Sequence, residues 1–425
     1  MPRVPTPPNA APDHGLVLRP FRAVRYGPGA GADLGALTSP PYDVLDPATV
    51  DSLQAGNPHN VVRLILPTAG DYDHVAHTLS RWASSGVLVR DAQPALYVYE
   101  YTEHGHVVRG LVGELGLRSL AARVVLPHED VMPGPVDDRA ALMRRTAAHL
   151  EPILLVYDGG GRASDVVHRV TAAPPLVSAV APDGSTHRLW AVPDVAAQTS
   201  IAEDLRARQA LIADGHHRYA AYRRCQHEHD TAVAGSVAGQ SRPDSAWDFG
   251  LAMLVDQRRY PLSLGAIHRV VSGVPLAAIV ESWTGDLRHF GSDKGAALRS
   301  WEDSVGRLDL GRVDHEGTNA VFLLTDGRAW VRASVPRNGS AVDAAVLHER
   351  LLPAWRAAEA QIAYLHDAGA AVEQAVAQGG TAVLLRPPDI AQVTSAAARG
   401  VLLPRKSTSF GPKPRMGLLM RQLDA

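Results

Sequence analysis

Hydrophobic and polar positions alternate along two neighbouring runs, Ala95-Leu96-Tyr97-Val98-Tyr99-Glu100-Tyr101 and His106-Val107-Val108-Arg109-Gly110-Leu111-Val112-Gly113. With Glu103-His104-Gly105 between them, a period of two on both sides of a glycine turn predicts a β-hairpin. Unbroken apolar runs predict further strands at Asn60–Leu66, Pro152–Tyr157, His187–Val192 and Thr381–Leu385, and shorter ones near 320–324 and 329–333. A helical period through Val75, Leu79 and Trp82 predicts a helix from Asp71 to about Ser85. Similar spacing predicts helices from Asp46, from Arg139 to about His149, over Val195–Arg208 and over Ile390–Gly400, with a helix-rich region from about 275 and a largely helical stretch from Ala341 to about Gln378. Strands and helices intermix without strict βαβ alternation or a fixed repeat, so the fold class expected is α+β, a mixed α/β arrangement.

A chain of 425 residues exceeds what one core usually organises, so a two-lobed molecule is expected. The reading places one α/β lobe at 15–265 and a second at 266–425, after a Pro-rich, disordered segment at 1–14. A formal net charge of −2 offers no electrostatic footprint for nucleic acid or an anionic membrane. With no apolar run of membrane-spanning length and no signal-like start, the expected location is cytoplasmic. The single cysteine, Cys225, excludes an internal disulfide and a cysteine-cluster metal site.

The densest chemistry lies in Leu211-Ile212-Ala213-Asp214-Gly215-His216-His217-Arg218-Tyr219-Ala220-Ala221-Tyr222, which reads as strand, tight turn and helix N-terminus. Free N–H groups and a partial positive charge at such a turn suit phosphate, and His216, His217 and Arg218 add donors. The bland alternative is an N-cap turn with Asp214 capping. Lysine occurs only at Lys294, Lys406 and Lys413 in a chain otherwise reliant on arginine. Two of the three flank Ser407 and Thr408, making Lys406-Ser407-Thr408 with Lys413 a candidate oxyanion clamp, against the alternative of a Pro-bounded surface loop. Between Pro127 and Arg139, His128 and Glu129 form a candidate proton-transfer pair, while Asp137 or Asp138 is expected to cap the following helix. Asp43, in the rigid turn Ser39-Pro40-Pro41-Tyr42-Asp43-Val44, is a second candidate base. The glycines of Asp158-Gly159-Gly160-Gly161 lack the spacing and lysine of a P-loop.

Ser39–Val44, Pro127-His128-Glu129, Ala213–Tyr219 and Pro404–Thr408 through Lys413, in that order, resemble the domain of unknown function 1015 family over about residues 16–420. The Asp-Gly-His-His-Arg turn is also similar to the nucleotide-binding turn of the ParB/sulfiredoxin superfamily, with Gly215, Arg218 and Ala221 at matching spacing. Sulfiredoxin has a cysteine where this chain has His216, so the resemblance does not extend to cysteine-based repair. The same superfamily contains a free-serine kinase with this turn, which implies a ParB/sulfiredoxin-like core and serine or phosphoserine as substrate. The expected function is phosphoryl transfer to a small hydroxy metabolite, with ATP or ADP as nucleotide and Mg²⁺ as its companion. Residues 214–218, Lys406, Ser407, Thr408 and Lys413 would bind phosphate, and Glu129, His128, His216, His217 or Asp43 would handle protons. Two alternatives stand beside it: a phosphomonoester hydrolase such as a phosphoserine phosphatase with a histidine nucleophile, and a non-catalytic, nucleotide-gated binding protein. A metal site of His128, His216 and His217 is chemically conceivable but shows no recognisable ligand spacing.

Overall fold

The computed structural model describes residues 15–31, 33–234, 244–306, 319–339 and 342–423; the segment 1–14, expected to be disordered, lies outside them. Two compact units emerge. The first contains residues up to Pro127, Val131–Leu262 and the chain from Pro412 onward; the second contains His128–Asp130 and Ser263–Gly411.

The first unit is a mixed α/β arrangement on a large mixed sheet. Its strands run in the order Val125–Leu126, Ala210–Asp214, Ile153–Tyr157, Phe249–Asp256, His106–Gly116, Leu96–Glu103, Thr186–Val192 and Val177–Val180, with Leu18–Arg19 pairing against His106–Gly116. The expected hairpin is present, closed at Glu103 and His106, with His104 at φ 48° and Gly105 at φ 80°. Two successive left-handed residues match the twist of the flanking strands, which is why a glycine sits there. Phe249–Asp256 and Ile153–Tyr157, buried at every position, pair in parallel and form the centre of the sheet.

One expected strand is a helix. Val62–Ile65 forms a single α-turn with Val62, Leu64 and Ile65 fully buried, and Leu64 and Ile65 join a second core with Tyr26, Trp82 and Met416. A continuous apolar run cannot by itself separate a buried strand from a buried helical turn. Asn60 decides the matter: its Oδ1 accepts from Val62 N at 2.9 Å and its Nδ2 donates to Ala36 O at 2.8 Å. The capping expected of Asp137 or Asp138 also fails, because that helix starts earlier, at Pro133. Proline suits the first helical turn, where its missing N–H costs nothing. Asp137 instead pairs with Arg224, and Asp138 with Tyr72 and Arg139.

The second unit carries a six-stranded antiparallel sheet ordered Asp286–Gly291, Trp330–Pro336, Asn319–Thr325, Thr381–Leu385, His268–Val271 and Ile362–Leu365. The strand Ile362–Leu365 interrupts the expected helical stretch 341–378, because its residues pair with His268–Val271 before the helix Ala368–Gln378 begins. Among the described residues, no helix is long and apolar enough to cross a membrane.

Candidate functional site

The strand Ala210–Asp214 is buried along its whole length and delivers Asp214 to a turn at Gly215, from which the helix His216–Ala234 departs. Gly215 holds φ 96°, a conformation that L side chains adopt only under strain, and an added Cβ would lie 2.8 Å from Ile153 Cγ2. The strand-turn-helix read from the sequence is therefore present, and glycine is required by both backbone and space.

Arg218, one helical turn on, is 2% exposed. Its guanidinium donates to Asp214 and, at 2.6 Å, to the Pro152 carbonyl, and it lies 5.8 Å from the Tyr42 ring centroid. Burial opposes its charge, but Glu151 and Asp214 outweigh that and keep it firmly protonated. The arginine expected to reach for phosphate thus sits beneath the turn as a fixed internal cation.

Lys413 comes from the C-terminal segment of the same unit. Its Nζ lies 2.9 Å from Asp43 Oδ2 and 2.5 Å from Asp214 Oδ1. Burial disfavours the ammonium, yet the two carboxylates hold its pKa above the ordinary lysine value. Asp43 arrives on the short 3₁₀ turn Tyr42–Val44, and the Tyr42 ring behind it lies 4.5 Å from the Arg139 guanidinium. His216 is pulled down to about 3 by burial, then by His217 and Lys413, so its imidazole is neutral near pH 7. His217 Nε2 accepts from the Met132 backbone N–H at 3.1 Å.

Glu151 belonged to no recognised motif. Glu151 is 4% exposed, and its carboxylate lies 3.6 Å from Arg139 Nη1. Burial raises its pKa while Arg218 and Arg139 lower it, and Tyr42 donates a backbone hydrogen bond to it. With Tyr42 and Arg139 it ties the turn bearing Asp43 to the start of the strand Ile153–Tyr157. The available signal was an acid lodged between the apolar residues Leu150 and Pro152-Ile153, a placement that calls for a buried partner.

In the second unit, Glu129 organises the lysine loop. One carboxylate oxygen accepts from Lys406 N at 3.2 Å; the other accepts from Ser407 N and Thr408 N, each at 3.1 Å, and from Thr408 Oγ1 at 2.9 Å. His128 Nε2 is 2.6 Å from Thr408 Oγ1, and Ser407 Oγ donates to the Pro404 carbonyl at 2.5 Å. Lys406 adopts φ 58° with an exposed side chain. Arg269, fully buried, donates to the Lys406 carbonyl at 2.9 Å and to His348 Nε2 at 3.1 Å. The structure therefore joins Asp43, Asp214, Arg218 and Lys413 in one unit, with His216 and His217 on the same turn, and His128, Glu129 and Lys406–Thr408 in the other. Among the described residues, no group of three or more His, Cys, Asp or Glu side chains is placed to hold a metal ion.

The family described as "Protein of unknown function (DUF1015)" matches residues 18–352. No curated protein matches the chain. Solved structures similar to it include a free serine kinase in complex with AMP, at 15% identity and TM-score 0.34, covering 73% of this chain and 91% of that one. A C-terminally truncated SbnI from Staphylococcus aureus shows 10% identity and TM-score 0.34, covering 73% of this chain and 87% of its own. A conserved hypothetical protein from Pyrococcus furiosus shows 12% identity and TM-score 0.34, with 71% and 90% covered.

Proposed function

This chain belongs to the family described as protein of unknown function, DUF1015, a description that assigns no activity, and from the site itself we propose a phosphoryl-transfer enzyme acting on a small hydroxy metabolite. Serine, with phosphoserine as product, is the first substrate to test. The observation that carries the reading is Lys413, an ammonium clamped between Asp43 and Asp214 at the start of the helix His216–Ala234.

Phosphate oxygens would take the N–H groups of the first helical turn, where the helix dipole favours negative charge. Lys413 would neutralise charge on the transferred group, with Arg218 supplying a fixed positive charge behind Asp214. Asp43, whose side chain is one-third exposed, is the carboxylate placed to take a hydroxyl proton. As the substrate oxygen bonds to the terminal phosphorus of a nucleoside triphosphate, its proton passes to Asp43 and the bridging P–O bond breaks, releasing the nucleoside diphosphate. Glu129, with four donors on its carboxylate, is given the role of shaping its loop instead. Asp43 and Asp214 share Lys413 as their ion-pair partner and no three ligands converge among the described residues, so these side chains do not make a Mg²⁺ cage.

A histidine-nucleophile phosphatase is the second reading, favoured by the neutral His216 imidazole. The test is a thermal-shift screen against ATP, ADP, AMP, serine, phosphoserine and phosphate, with and without Mg²⁺, followed by turnover with ATP and serine. Binding and turnover are expected, with turnover lost and nucleotide binding kept in Asp43→Asn. Release of phosphate from phosphoserine without nucleotide, abolished by His216→Gln, would favour the phosphatase. No shift and no turnover would overturn both readings.

A further inference from the structure

A second charged cleft lies in the first unit, and none of its lining residues belongs to the Asp214 centre. It encloses about 240 Å³ and, among the described residues, is lined by Arg19, Arg22, Arg90 and Arg421 against two carboxylates, Glu114 and Asp244. Separate strand pairings bring the arginines together. Arg19 is the register partner of Glu114, Arg90 that of Val24, and Val24 bridges to Met420, which places Arg421 beside them.

Arg421 forms the floor. It is 3% exposed, donates to Glu114 Oε1 at 2.6 Å, and is held by the Phe249 and Ala246 carbonyls at 2.9 Å each. Arg421 therefore cancels Glu114 and is itself immobile. Arg19 lies over the Phe249 ring, 4.1 Å from its centroid, and pairs with Asp244 at 2.5 Å. Both partners of that pair are about half exposed, and such a pair contributes little, so Arg19 can exchange Asp244 for another anion at small cost. Arg22 is exposed and bonds through Nε to the Asp91 carbonyl at 2.9 Å, and among the described residues no hydrogen bond engages its terminal nitrogens. Arg90 is exposed as well and adds a further positive charge to the rim.

We infer that this cleft binds a small polyanion bearing two or more adjacent anionic oxygens, phosphoryl or carboxylate, between Arg19, Arg22 and Arg90. A planar guanidinium meets either group with two parallel N–H bonds, and Phe249 beneath Arg19 holds that fork in place. The site is independent of the proposed catalytic centre.

The test is calorimetric titration of the full chain carrying Lys413→Ala, which removes phosphate binding through Lys413, with pyrophosphate in one arm and citrate in the other. Adding Arg22→Glu and Arg90→Glu, both at exposed positions, is expected to weaken the tighter ligand about tenfold or more, the scale of losing charge-assisted hydrogen bonds. The arm that binds identifies phosphoryl or carboxylate chemistry. In parallel, phenylglyoxal modification mapped by mass spectrometry should show Arg22 and Arg90 protected by that ligand while the exposed Arg188 is not. Unchanged affinity in the added variants, equal modification rates with and without ligand, or no binding in either arm would overturn the inference.

Discussion

Gly215 and Lys413 carry the two sharpest consequences at the scale of single residues. Because Gly215 combines φ 96° with an ideal Cβ only 2.8 Å from Ile153 Cγ2, Gly215→Ala is expected to cost about 1–3 kcal/mol in urea unfolding. An unchanged midpoint would mean that the turn tolerates a side chain. For Lys413, the pKa is raised in the folded protein by Asp214 and Asp43 against the opposing effect of burial. Its stabilisation is therefore fully present below the ordinary lysine pKa and lost as pH rises through the higher folded value. Lys413→Met should lower stability at pH 7 and flatten the alkaline limb of the stability curve above about pH 10. Parallel alkaline limbs in the two proteins would refute the ion cluster. The motif Asp214–Arg218 was legible because glycine, histidines and arginine are adjacent in sequence. Glu151 was not legible as a partner of Arg218, since only folding brings an acid 67 residues upstream beside that guanidinium.

At the scale of elements, the loop Pro404–Thr408 is held by a residue from a distant part of the chain. Glu129 accepts three backbone N–H bonds and one hydroxyl bond from it, while Lys406 sits at φ 58°. Glu129→Ala would leave those donors without the carboxylate and release the left-handed residue. Trypsin is then expected to cut after Arg405 or Lys406 several-fold faster than in the parent, read by the appearance of the C-terminal fragment. Equal cleavage rates would show that the loop holds its shape unaided. The hairpin, the helix Tyr72–Ser84 and the strand Ile153–Tyr157 were readable from periodicity because each has one clear face or a uniformly apolar run. Val62–Ile65 and Ile362–Leu365 were misread because a short segment takes its conformation from its partners, here the Asn60 cap and the strand His268–Val271.

At the scale of the whole molecule, five histidines among the described residues are held neutral by burial. His187, His268 and His348 are pulled down to about 4, His216 to about 3, and His149 well below the usual value. Each binds its proton more weakly folded than unfolded, so stability falls as pH drops from about 6.5 toward the folded values. Glu129 and Glu151, raised chiefly by burial, act in the opposite sense, but they are two against five. The urea midpoint is expected to drop markedly between pH 7 and pH 5, with a steepness reduced in His216→Gln; a flat profile would contradict the buried neutral state. By itself the sequence determined the mixed α/β class, the Asp-Gly-His-His-Arg strand-turn-helix and the distinction of Lys406 and Lys413, because those depend on local periodicity, local backbone chemistry and residue choice. Tertiary structure alone decided that Lys413 joins Asp43 and Asp214 while Lys406 lies on the loop clamped by Glu129, and that four arginines converge on one cleft. Those partnerships join residues from widely separated positions, and charge pairing acts through space, which periodicity along the chain does not encode.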